Sequence, residues 1–291
     1  MRGKTRRQEI VGEYRKEQIR VIALIIAIMV MLVAMMVACG KSCACSCGAG
    51  DEVSMSDAQE DTDRQSTGAV DIGKLWESLD DKDREFINSL TVYPRLVNRN
   101  NPLPTGYIPP DLMILQGVPD GASNQLSYSA ANAYLQMHQA MVADGIAVVP
   151  LSGYRSYDEQ VMIFNYNVQL HTDEGMTPEE AREYTEGFVS IPGTSEHQYG
   201  RCIDVTIDGT TNHSFHETEH GQWLIDHAHE FGFVIRYPED KVEVTGINYE
   251  PWHLRWVGEK HADFMTRHSL CLEEYVELIN RYNPWAVAEN D

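Results

Sequence analysis

The chain predicts an α+β fold, and three observations carry that expectation. Residues 201–207, RCIDVTI, alternate as a strand does, with Ile203, Val205 and Ile207 on one side and Cys202, Asp204 and Thr206 on the other. Several segments have helical spacing and helix-start signals of their own. Strands and helices then follow one another without the regular βαβ beat of a doubly wound sheet.

The helices can be placed in order. A short helical segment is expected around Leu75–Leu90. Asn101-Pro102-Leu103-Pro104 and Ile108-Pro109-Pro110 mark extended entry loops. Ser129–Ala143 has helical spacing, with Ala130, Tyr134, Met137, His138 and Met141 on one side, so His138 reads as a packed helix residue and not a ligand. Ile146–Leu151 is a short β-type run. Ser156-x-x-Glu159 is a capping box that opens a helix to about Leu170. Thr177-Pro178-Glu179-Glu180 opens another, with Pro at its first position. Gln222–Phe231 reads as a helix stopped by Gly232, followed by a strand at Phe233–Arg236. Helices are expected again at Gly258–Arg267 and Leu272–Tyr282.

The N-terminal part has a different character. Residues 1–38 hold seven basic and three acidic residues, net +4, so the remainder carries −25 of the overall −21. So acidic a chain repels phosphates, which excludes nucleic acid as a natural partner. The basic residues 1–20 precede an unbroken apolar run, VIALIIAIMVMLVAMMVA, at 21–38. As a helix it would span ~27 Å, close to a bilayer core. The positive flank is expected in the cytoplasm and everything after Ala38 outside. An uncleaved transmembrane helix is the expectation. A lipoprotein signal cleaved before Cys39 is the alternative, since Met36-Val37-Ala38-Cys39 loosely resembles a lipoprotein box.

Cys39, Cys43, Cys45 and Cys47 lack a matching second cluster and do not read as a zinc ribbon. Acylation and disulfides both remain open for them. Residues 48–70 are acidic and nearly free of large apolar side chains, a linker composition. The expected organisation is therefore a basic segment at 1–20, a membrane segment at 21–38, a linker at 39–70, a helical segment at 71–90 and a globular domain at 91–285. Pairing between Cys202 and Cys271 is left open.

The chemistry concentrates in two short stretches. His197 sits in a polar turn ahead of the strand that carries Asp204, and the two can meet at one point. Alone, a His–Asp pair is more often a hydrogen bond than a metal site. Glu250-Pro251-Trp252-His253 supplies a third donor, His253. Two His and one carboxylate, with a fourth position left to water, is a catalytic zinc arrangement. Zinc lowers the pKa of that water to ~7. Glu250, a carboxylate outside the ligand set, suits the role of proton shuttle.

These stretches resemble a known family. SEHxxGxxxD, a later EPWHxR and an earlier YRSYxxQ are similar to the zinc D-alanyl-D-alanine carboxypeptidases of the vancomycin-resistance type. The resemblance runs from about Leu96 to Tyr282 and includes Gly153-Tyr154-Arg155 and Arg236-Tyr237-Pro238. It implies a small, mainly antiparallel sheet flanked by helices, with the metal cleft on the sheet. It implies zinc held by His197, Asp204 and His253, Glu250 as catalytic base and Arg155 facing the substrate, with Ser195 and Gln160 nearby. The implied substrate is a cell-wall stem peptide ending in D-Ala-D-Ala. An endopeptidase of the same fold and a non-catalytic binding module are the alternatives. One departure is Cys202, where the family usually has a small residue such as Ala. Its thiol shares a strand face with Asp204 and is expected either to be a small buried side chain or to crowd the metal.

A second zinc-protease signature also occurs. His216-Glu217-Thr218-Glu219-His220 matches H-E-x-x-H, which works only when a helix brings both imidazoles to one face. Gly221 follows at once, and the stretch reads as a polar loop. His227 and His229, two apart, face different ways.

Overall fold

A computed structural model describes residues 68–118 and 124–289. The basic segment, the apolar run at 21–38, the four clustered cysteines and most of the linker lie outside the described residues. Among the described residues no helix is long and apolar enough to cross a membrane.

The elements run as follows: α1 (Ile72–Ser78), α2 (Asp81–Ser89), β1 (Val92–Tyr93), β2 (Leu112–Ile114), β3 (Gln125–Ser127), α3 (Tyr128–Ala143), β4 (Val149–Ser152), α4 (Tyr157–Asp173), α5 (Pro178–Glu186), α6 (Glu196–Tyr199), β5 (Cys202–Thr206), α7 (Glu219–His227), β6 (Phe233–Tyr237), α8 (Val242–Thr245), β7 (Glu250–Trp256), α9 (Glu259–Arg267), α10 (Leu272–Tyr282) and β8 (Val287–Ala288). The main sheet has four strands in the order β4-β5-β7-β6, every neighbour antiparallel. Two small pairs stand apart from it, β2–β3 antiparallel and β1–β8 parallel.

The alternation of β5 decides what each face of the sheet does. Ile203 and Val205 are fully buried with Leu254 of β7, Phe233 of β6 and Tyr134, Met137 and Met141 of α3. Each such side chain contributes roughly 1.5–3 kcal/mol by leaving water. The opposite face carries Cys202, Asp204, His253 and Arg255, through the pairs Cys202↔Arg255 and Asp204↔His253. Ile207, expected on the apolar face, lies beyond the end of β5 and is exposed. The Thr206 hydroxyl bonds to the Thr210 carbonyl and turns the chain there.

A second apolar cluster joins α1, α2, α9 and α10 around Ile87, Phe264, Leu272, Tyr275 and Ile279. The helical segment expected at 75–90 is therefore two helices, broken where Asp80 caps α2 by accepting from Asp83 N. They pack on the domain through that cluster. The linker composition extends to Val70, yet the Val70 N–H donates to Glu274 (2.7 Å) and Lys241 bonds to the Gly68 carbonyl. At the other end Val287 pairs with Val92, past the expected limit at 285. The helix expected at Gln222–Phe231 divides into α7 and a 3-10 turn, Ala228–Phe231, which ends on Gly232 at φ 82°. Both capping boxes, at Ser156 and Thr177, are made in full.

Candidate active site

His197 is placed by a one-turn helix. Ser195 caps α6, its hydroxyl accepting from His197 N–H (3.3 Å), and Gly200 ends it at φ 72°, a left-handed conformation that suits glycine. The His197 Nδ1–H donates to the Gly153 carbonyl (2.7 Å), because a carbonyl can only accept. Gly153 also lets Gln125 of β3 come close: a Cβ there would lie 2.4 Å from the Gln125 carbonyl oxygen. The tautomer is thereby set, and Nε2 faces Asp204 Oδ2 at 3.3 Å.

His253 and Glu250 depend on an irregularity in β7. Three residues apart, they would face opposite sides of a regular strand. The ladder with β6 slips between Ile235↔Leu254 and Tyr237↔Glu250, so β7 takes two residues more than its partner. Pro251, with no N–H to offer a ladder, sits in the slip. The result brings Glu250 Oε2 to 3.7 Å from His253 Nδ1, which also lies 2.9 Å from Asp204 Oδ1. The two imidazoles stand nearly perpendicular, with ring centroids 5.0 Å apart.

Every member of this cluster is buried. His197 is 5% exposed, Asp204 9%, Glu250 8% and His253 4%. Burial disfavours each charge, but the opposing charges outweigh it at the centre. The two imidazoles hold the Asp204 carboxyl well below the usual range. His197 is carried up to about 9, against desolvation, by Cys202 and Asp204. Glu250 goes the other way: desolvation, with Asp204 adding, pushes its carboxyl up to about 8 despite His253. A carboxyl poised near neutrality can both take and return a proton.

The donor set fits a metal ion. Asp204 Oδ1 is buried and faces His253 Nδ1 at 2.9 Å without an aligned hydrogen bond, and both nitrogens and one carboxylate converge on one point. Cys202 joins them: its Sγ and the ring nitrogens of His197 and His253 lie within 4.8 Å of one another. Asp204 and Cys202 thus approach the same imidazoles. Desolvation raises the thiol pKa of Cys202, and the two imidazoles bring it down to about 7.

Behind the cluster lies a support that the sequence motifs did not reveal. Glu196, the middle residue of Ser-Glu-His, has no side-chain exposure and accepts from Arg236 Nε (2.8 Å). Arg255 Nη1 pairs with the same oxygen at 2.8 Å. The other oxygen stands 3.8 Å from His253 Nε2. Arg236 is also held in a two-pronged pair by Glu273. The available signal was the concentration of charge beside apolar strand positions, an arrangement that needs internal partners.

The remaining candidates line a cleft of about 800 Å³ open to the metal cluster. Arg155 donates to Gln160 Oε1 (2.7 Å) and Ser152 Oγ (3.0 Å), and among the described residues no carboxylate pairs with it. Gln160 is buried, and its amide nitrogen donates to the Ser190 carbonyl (2.6 Å). It therefore braces Arg155 and has both ends engaged. Tyr154, Met162, Phe188, Tyr249 and Trp252 supply apolar wall. The H-E-x-x-H stretch is not one helix: His213–Glu217 is a 3-10 turn, and extended Thr218 (ψ 156°) separates it from α7. His138 is buried in α3, and Cys202 and Cys271 are both free thiols.

A family model described as D-alanyl-D-alanine carboxypeptidase (VanY) matches residues 123–259. The chain is 39% identical over 184 residues to a D-alanyl-D-alanine carboxypeptidase of Enterococcus faecalis, covering 62% of this chain and 64% of that protein. It is 33% identical over 188 residues to a bifunctional D-Ala-D-Ala dipeptidase and carboxypeptidase of Enterococcus gallinarum, covering 62% of this chain and 92% of that one. Among solved structures it is similar to a vancomycin-resistance D,D-pentapeptidase VanY from a VanB-type cassette, in complex with Zn(II). The TM-score is 0.55 at 36% identity, over 62% of this chain and 97% of that one. The β5 and β7 motifs, the cluster they build and these relatives place the chain in the VanY family of D-alanyl-D-alanine carboxypeptidases.

Proposed function

We propose that this protein is a zinc-dependent D,D-carboxypeptidase that removes the terminal D-alanine from peptidoglycan stem peptides. The observation that carries the reading is the placement of Glu250 beside, but outside, the set His197, Asp204 and His253, in a cleft that also presents Arg155.

His197 through Nε2, Asp204 and His253 would hold the ion. Zinc held there supplies a Lewis acid and a water acidic enough to act as a nucleophile near neutral pH. Glu250 takes the proton from the attacking water and returns it to the nitrogen of the departing D-alanine. Arg155, fixed by Gln160 and Ser152, offers a guanidinium suited to two parallel bonds with the free terminal carboxylate. The apolar wall excludes bulk water and strengthens each of these interactions.

In this reading residues 21–38 anchor the protein in the membrane, the basic residues 1–20 are cytoplasmic and the catalytic domain is outside. An anchor through lipid on Cys39 is the alternative. Protease added to wall-stripped cells would digest the domain, and protection of the domain would contradict the topology. For the activity, metal analysis and D-alanine release from a pentapeptide ending in D-Ala-D-Ala provide the test. Cleavage inside the peptide would favour an endopeptidase, and binding without cleavage a non-catalytic module.

A further inference from the structure

The metal-binding cluster contains one donor more than the proposed chemistry uses. Cys202 lies two residues before Asp204 on β5, so both side chains leave the same face of the sheet. It is fully buried and takes no part in a disulfide. Its sulfur faces the ring nitrogens of both His197 and His253. With their ring nitrogens it forms a three-donor group within 4.8 Å. Asp204 Oδ1, buried and 2.9 Å from His253 Nδ1 without an aligned hydrogen bond, faces the same imidazole. A small buried thiol that only fills space would touch apolar neighbours. This one lies within 4.8 Å of a ring nitrogen of each imidazole on which the metal reading rests.

We propose that Cys202 Sγ is itself a donor to the metal, so that the protein supplies four donors, His197, Cys202, Asp204 and His253, instead of three. The proposal rests on the metal-centre reading above. On binding, the thiol proton passes to solvent and a sulfur lone pair forms the bond to the metal, with no change of oxidation state. Four protein donors fill a tetrahedral site, as in structural zinc centres, whereas catalytic centres keep one position open. The water that the proposed reaction uses would then have to share the ion with the thiolate. A thiolate donor also favours zinc over hard cations such as magnesium, which take oxygen ligands.

The test uses the full chain loaded with cobalt(II), which reports sulfur ligation as near-ultraviolet charge-transfer absorption. Wild type, Cys202→Ala, Cys202→Ser and His197→Ala are compared at one cobalt per chain, together with competition against a chelator. Serine keeps the volume should alanine disturb folding. Expected is a charge-transfer component present in wild type, lost in both Cys202 variants while cobalt stays bound, and a fall of ~10-fold or more in metal affinity. Because Cys39, Cys43, Cys45 and Cys47 are also present, only the difference between wild type and variants is read. Identical spectra and identical chelator competition in wild type and both Cys202 variants would overturn the proposal. Unchanged metal content in His197→Ala would instead overturn the metal-centre reading beneath it.

Discussion

Glu196 Oε2 stands 3.8 Å from His253 Nε2, on the far side of the ring from the Nδ1 that faces Asp204. The imidazole thus stands between two carboxylates, Asp204 on one side and Glu196 on the other. Such rear carboxylates orient a ligating histidine and raise its basicity. Glu196 is itself held by Arg236 and Arg255, so the pose of His253 is coupled to a buried charge network.

Glu196→Gln should lower metal affinity ~10-fold or more, the usual scale for a residue behind a ligand. It should also lower the melting temperature, because Arg236 and Arg255 lose their shared anion in the interior. Chelator competition and thermal unfolding check the two effects. A variant with unchanged metal affinity would limit Glu196 to a structural role.

Glu250→Ala should keep the metal and lose ~10²-fold or more in turnover. Metal content and kcat on a D-Ala-D-Ala peptide distinguish this from loss of a ligand. Loss of the metal in this variant would make Glu250 a donor and require new roles.

Wild type should cleave a free D-Ala-D-Ala peptide much faster than its amidated form, and Arg155→Lys should lose much of that preference, since an ammonium lacks the guanidinium fork. Gln160→Leu should act in the same direction by freeing Arg155, mainly through KM. kcat/KM for each protein on both peptides is the measurement. Equal slowing of both peptides would assign Arg155 to the developing oxyanion.

His261 supplies a pH dependence of stability away from the site. Burial pushes its pKa down to about 4, and its Nδ1 lies 2.7 Å from the Tyr275 hydroxyl. The unfolded chain binds the proton more readily. Its contribution is therefore complete above about 6.5 and is lost as pH falls toward about 4, on the order of 2 kcal/mol. His261→Gln should flatten the fall of the melting temperature across that window. An unchanged slope would remove His261 from the account.

The residues that converge in the cleft were legible as candidates in the sequence because they lie in short, stiff stretches. Asp204 follows from strand alternation, and His197 from the turn that leads into β5. The convergence of Glu250 with His253 was legible only as proximity along the chain. Its cause is a register slip against β6, which depends on pairing between distant segments. Glu196 escaped for the same reason, since its partners Arg236 and Arg255 come from β6 and β7. Helix starts were readable from local capping. The break between α1 and α2 has such a cap in Asp80, which the sequence reading passed over, whereas the attachment of Val70 was not readable because a bond to distant Glu274 decides it.

The most direct measurement is D-alanine release from a pentapeptide ending in D-Ala-D-Ala by the purified full chain, before chelation, after it and after one equivalent of zinc is restored. The account predicts release of the terminal D-alanine alone, lost on chelation and recovered with zinc. Release that survives complete metal removal, or cleavage at an internal bond with the terminal residue left in place, would contradict it.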